Sequence, residues 1–190
     1  MPTIRLLLSL VVAATAVTFV SPRALAKDKS AEKRAEIHKM RDTVLADLYK
    51  ERPETKAKIK KAEGYAVFSN VGVNLVFASF AGGRGLVVDR KGHETFMKMG
   101  SAGLGIGLGV KDFRAIFIFS DKKKMESFIE KGWDFSGQAD AAAKSDDKGG
   151  QAAGAATVIP GVEIYQFTKN GLALQATLQG TKYWRDKALN

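Results

Sequence analysis

The chain has 190 residues, 45% hydrophobic and 26% charged, and its 30 lysines and arginines against 20 aspartates and glutamates give a formal net charge of +10. It has no cysteine, which excludes disulfides, thiol catalysis and thiolate metal sites together. A basic chain of this length holds one domain with a real core and favours an acidic partner.

The N-terminus reads as an address. Arg5 precedes an uncharged, mostly apolar run from Leu6 to Val20, and Ala24-Leu25-Ala26 is a small-x-small cleavage site before Lys27. The run is short against the roughly 20 apolar residues of a membrane span. Residues 1–26 are therefore expected to be a signal peptide, and 27–190 a single domain, exported and periplasmic or envelope-associated. No cysteine follows the run to carry a lipoprotein anchor. Losing Arg5 and Arg23 lowers the charge from +10 to +8. In that compartment the expected acidic partner is anionic phospholipid or a membrane surface, or acidic polysaccharide, rather than nucleic acid.

Ser30 to Lys50 is predicted to be an amphipathic helix, with Ile37, Met40, Val44, Leu45, Leu48 and Tyr49 along one face that is expected to pack into the core, the densely and mixedly charged opposite face being solvated. Ser30 is a candidate N-cap without the acidic residue three positions on that a capping box wants. Pro53 fits the first position of a second, short helix, which carries Lys56, Lys58, Lys60 and Lys61 and is expected to end at Gly64. These four lysines suit either a solvated helix end or a contact with anionic headgroups.

From Tyr65 the period changes to two. Tyr65–Asn70, Val71–Ala81, Arg84–Arg90, Glu94–Met99, Ala102–Val110 and Phe113–Ser120 are predicted strands, joined by turns so short that neighbours should pair as an antiparallel meander. Within them Gly103, Gly105, Gly107 and Gly109 would leave one strand face bare, which invites close approach of a helix or of an acyl chain. The spacing fits neither G-x-G-x-x-G nor a P-loop. Ile116-Phe117-Ile118-Phe119 is apolar on both faces and should be buried on both.

Asp121 is placed to cap a third helix over Lys122–Lys131, with Met125, Phe128 and Ile129 on its inner face and Lys122, Lys123 and Lys124 in its first turn. Gly132 should end it. Residues 141–156 are entirely Ala, Gly, Lys, Asp, Gln and Ser, a composition that predicts a mobile loop. Val162–Thr168 and Leu172–Leu178 flank Lys169-Asn170-Gly171, a hairpin signal. Tyr183 and Trp184 close the chain among Lys182, Arg185 and Lys187, as an interfacial pair or a cap on the barrel end.

Catalytic candidates are few. His38 and His93 lack a partner pattern, the two S-x-x-K matches lack their companion motifs, and Asp140, Asp146 and Asp147 lack calcium-loop spacing. A non-enzymatic protein without metal or other cofactor is expected.

Gly64-Tyr65-Ala66-Val67-Phe68, Ala81-Gly82-Gly83-Arg84-Gly85-Leu86-Val87-Val88, Gly100-Ser101-Ala102-Gly103-Leu104-Gly105-Ile106-Gly107, Ile116-Phe117-Ile118-Phe119 and Ile164-Tyr165-Gln166-Phe167-Thr168 occur in an order that resembles the SYLF lipid-binding domain family. The likeness runs from about Leu45 to Trp184, with Ser69 where the family often has proline. It implies a phospholipid-binding module whose contacts come from an N-terminal amphipathic helix and basic residues. Here those are the Ile37–Tyr49 face, Lys56, Lys58, Lys60 and Lys61, with Arg84, Lys122, Lys123 and Lys124 completing the candidate set. The expected fold is α+β, a curled antiparallel sheet, barrel-like, flanked by N-terminal helices and one helix after the central strands. The alternative is an envelope module for a protein or polysaccharide partner, with no lipid ligand.

Overall fold

The computed structural model describes residues 22–70, 82–101, 113–135, 156–168, 171–172 and 181–190. Helix α1 runs Pro22–Glu51. It begins ahead of Ser30 because nothing between Ala24 and Lys29 breaks a helix and proline suits a first turn, so Ser30 lies inside the helix and does not cap it. The apolar face is placed as the periodicity predicts: Ile37, Val44, Leu45 and Leu48 are buried. Helix α2, Glu54–Lys61, follows Pro53 and closes at Ala62. Gly64 starts the next strand.

Strands β1 (Gly64–Ser69), β2 (Gly82–Asp89) and β3 (Glu94–Ser101) pair in sequence order. Strand β4 (Arg114–Phe119) then returns to the free side of β1. The meander stops there for a reason legible in β4 itself: a strand apolar on both faces gains most from a central position. Helix α3 (Lys122–Lys131) is followed by β5 (Trp133–Asp134), β6 (Ala156–Ile159), β7 (Val162–Thr168), β8 (Gly171–Leu172) and β9 (Thr181–Arg185). The sheet is antiparallel and curled, in the order β5-β9-β3-β2-β1-β4-β7-β6, with β8 also on β7. This is the α+β architecture expected from the sequence.

Alternation along β1 and β4 divides the core between two faces. Ala66, Phe68, Phe117 and Phe119 point toward α3, where they meet Met125 and Phe128. Val67, Ile116 and Ile118 point toward α1 and meet Val44 and Leu48. Phe117 is fully buried, with ring centroids of Tyr183 and Phe128 at 5.1 and 5.2 Å. Burying a side chain of this kind contributes roughly 1.5–3 kcal/mol, so Ile116 to Phe119 anchor both helical layers to one strand.

Helix α3 forms where its cap predicts. Asp121 Oδ1 accepts from the amides of Lys123 (2.8 Å) and Lys124 (3.3 Å). Gly132 ends the helix at φ +70°, a conformation that favours glycine. Strands β5, β6 and β9 were not among the predicted strands; each is short, and each pairs with a longer neighbour. Ala156, assigned to the loop by composition, is the first residue of β6. The predicted strands Val71–Ala81 and Ala102–Val110 lie outside the described residues, as do Gly103, Gly105, Gly107 and Gly109, residues 141–155 and all of the predicted strand Leu172–Leu178 beyond Leu172.

Candidate functional site: a basic end of the sheet

Register decides which cations share a surface. Gly64 stands opposite both Asp89 and Phe119, and Phe119 stands opposite Val162. One end of the sheet therefore gathers the turns that precede β1, follow β2, follow β4 and precede β7. Backbone bonds knit them: Glu63 N–H to Phe119 O (2.8 Å), Arg90 N–H to Glu63 O (2.8 Å) and Ser120 N–H to Gly161 O (2.9 Å). Helix α2 ends three residues before Gly64, and α3 begins three residues after Phe119. Lys60 and Lys61 from one face of the sheet thus come to the same end as Lys122, Lys123 and Lys124 from the other, with Arg90 and Lys91 between strands. All seven are exposed.

The acidic groups at this end are occupied. Glu63 pairs with Arg90 (3.1 Å) and Glu126 with Lys122 (3.4 Å). Asp89 accepts from the amides of Lys91 (2.8 Å) and His93 (2.9 Å) and bonds the His93 ring (2.9 Å). Partial desolvation pushes the Asp89 carboxyl up, but the bonds from His93 and Lys91 outweigh it and hold the group below the usual carboxylate range. Among the described residues, Lys60, Lys61, Lys91, Lys123 and Lys124 have no carboxylate partner. Lys56, exposed one turn before Lys60 on α2, is likewise unpaired there.

Two of the sequence candidates stand apart. Lys58 is turned inward: its Nζ donates to Glu163 (2.6 Å) and to the Tyr165 hydroxyl (3.3 Å), and Tyr165 donates to the same carboxylate (2.9 Å). The bond to Glu163 holds the Lys58 ammonium above the usual lysine range against the opposing cost of partial burial. Lys58 therefore fastens α2 to β7. Arg84 stands opposite Ser69, the last residue of β1, at the other end of the strand, about 17 Å from Gly64 at the ordinary rise per residue. Arg90 and Lys91 were missed in the sequence because nothing local distinguishes a basic hairpin turn from a solvated one.

The Ile37–Tyr49 face of α1 packs into the core as its periodicity predicts, with Ile37, Val44, Leu45 and Leu48 buried and Met40 and Tyr49 partly so, and is therefore not free to make the lipid contact that the resemblance implies. It is covered by the sheet, and polar ties hold it there. Arg34 donates to Leu189 O (3.0 Å), His38 and Arg41 both reach Glu94 (2.8 Å each), and Arg114 reaches Asp47 (2.6 Å). The physical reason is area: an apolar stripe this long is worth more against β1, β2 and β4 than left in water. Among the described residues no helix is long and apolar enough to cross a membrane.

The chain is homologous to Beta cell expansion factor A of Aeromonas veronii, with 37% identity over 159 residues. The match covers 83% of this chain and 59% of that relative, so the chain spans well under two thirds of the relative's length. No family model matches the chain.

Proposed function

We propose that this protein is a non-enzymatic binder of anionic phospholipid, a SYLF-type lipid-binding domain exported to the cell envelope, and that it meets the membrane with the basic end of its sheet. The observation that carries the reading is the convergence of two lysine clusters from opposite faces on one strand end, where the nearby carboxylates already have partners. The leader-like residues 1–26 support export, and the ordered glycine and aromatic motifs support the family.

Each lysine near an anionic membrane contributes about 1 kcal/mol. Lys60, Lys61, Lys91, Lys123 and Lys124 together give about 5 kcal/mol, a dissociation constant of roughly 0.2 mM for electrostatics alone. Such an attraction is salt-sensitive and recruits the protein reversibly. Liposome flotation tests it: the protein is expected to float with anionic vesicles at low salt and to stay behind with neutral ones. Equal recovery with both, unaffected by salt, rejects the reading.

A further inference from the structure

The sheet face that packs under α1 carries a second arrangement toward its other end, in the row where Arg114 reaches Asp47 of the helix. Val67 and Ile116 identify the face; two residues further along lie Ser69 and Arg114. Ser69 stands opposite Arg84, Arg84 opposite Lys98, and Lys98 opposite Trp184. Arg84, Lys98 and Trp184 are successive positions of one cross-strand row, spanning about 10 Å at the usual strand spacing.

Trp184 and its neighbour separate. Tyr183 is fully buried, while Trp184, 38% exposed, is the exposed large hydrophobic side chain among the described residues. Its indole lies over Gly100: a Cβ at that glycine would sit 2.8 Å from Cη2. The ring is therefore laid along the sheet. Beside it, Lys182 stands opposite both Gly100 and Asp134, and its Nζ pairs with Asp134 at 3.0 Å.

The row is held at a cost. Like charges directly across a sheet repel, yet Arg84 faces Lys98. Lys98 is compensated by Asp186 at 3.3 Å; Arg84, half-buried, has no carboxylate partner among the described residues. An anion from outside would relieve that repulsion with charge-assisted bonds.

We propose that Arg84, Lys98 and Trp184 form a binding site for an acidic oligosaccharide. A sugar ring's C–H face stacks on the indole, whose π-face is electron-rich. Its carboxylate meets Arg84 and Lys98, and its hydroxyls donate to Asp134. A membrane fits less well, because one indole laid flat offers no projecting apolar cluster to insert. Single-stranded nucleic acid fits less well too: such sites stack successive bases on several aromatic rings, and this row presents one indole. This site is independent of the basic strand end, from which Arg84 is separated by the length of β1.

Tetragalacturonate titrated into the purified protein, followed by tryptophan fluorescence and calorimetry, is expected to bind with salt-dependent affinity. W184A should weaken binding roughly tenfold, the value of one aromatic stack, and W184F should restore most of it. R84Q should weaken it severalfold and flatten the salt dependence, while K60E/K61E leaves it unchanged. Melting curves identify a misfolded W184A, in which case W184F and R84Q decide. No binding, equal binding of maltotetraose, indifference to W184A and R84Q, or a Trp184-dependent preference for oligothymidylate or anionic vesicles overturns the proposal.

Discussion

Reversing Lys58 and reversing Lys60 with Lys61 should have opposite consequences, although all three belong to one run of lysines. Lys58 bonds Glu163 at 2.6 Å, with side chains 41% and 32% exposed. A hydrogen bond between charged groups is worth about 1.5–3 kcal/mol when sheltered; with this exposure it falls to about 1 kcal/mol. Lys58→Glu also sets a second carboxylate near Glu163, adding about 1 kcal/mol of repulsion at about 4 Å in a water-like dielectric. The total of about 2 kcal/mol lowers the melting temperature by roughly 4–8 °C in a domain of this size. Lys60→Glu with Lys61→Glu alters exposed groups and should change stability by no more than about 0.5 kcal/mol. That double change should nevertheless cost at least about 2 kcal/mol of vesicle affinity, roughly 30-fold. Thermal unfolding by circular dichroism, at low salt and at about 0.5 M salt where screening shrinks the Lys58 penalty, separates them when set beside flotation. An unshifted melting curve for Lys58→Glu refutes the role of Lys58 as a fastener. Undiminished flotation of the double variant refutes the basic end as the membrane contact.

Phe117→Ala removes the ring at the centre of the α3-side core and should destabilise by about 3–5 kcal/mol, read by urea unfolding; a loss below about 1 kcal/mol would mean that side is loosely packed. Asp121→Ala leaves the Lys123 and Lys124 amides without their acceptor and should cost about 1 kcal/mol, while Asp121→Asn should recover most of it. Burial pushes the Tyr183 phenol far above its usual range, with Thr181 working weakly in the other sense. A raised folded pKa means that stability is intact below the unfolded value near pH 10 and is lost as pH rises beyond it. Unfolding measured upward from about pH 10 should show Tyr183→Phe losing stability less steeply than the parent, by about 1.4 kcal/mol per pH unit. Equal slopes would place the hydroxyl in contact with solvent.

Much of the fold was legible because its signals are local. The Asp121 cap and Gly132 stop bracket α3 at the observed residues, since both act within one turn. Val162–Thr168 is rich in β-branched and aromatic residues and lies between Gly161 and Gly171, and β7 has those bounds. Strands β5, β6 and β9 escaped because two to five residues carry too little periodicity, and their pairing with β7, β9 or β3 supplies what their own composition does not. The candidate site was legible only as a list of cations. Lys56, Lys58, Lys60 and Lys61 look alike in sequence, and Glu163, more than a hundred residues away, is what distinguishes Lys58.

By itself the sequence determined the helical and strand periods, the double-sided apolar character of Ile116-Phe117-Ile118-Phe119 and the basic charge, because these depend on residue type and near neighbours. Tertiary structure alone decided that β4 lies beside β1, and hence that the end of α2 and the start of α3 come to one end of the sheet. It also decided that Lys58 is a fastener, and that Tyr183 is buried while Trp184 faces solvent. Strand register produces each of these outcomes: it sets positions distant in sequence side by side, and a shift of one residue would send every side chain to the opposite face.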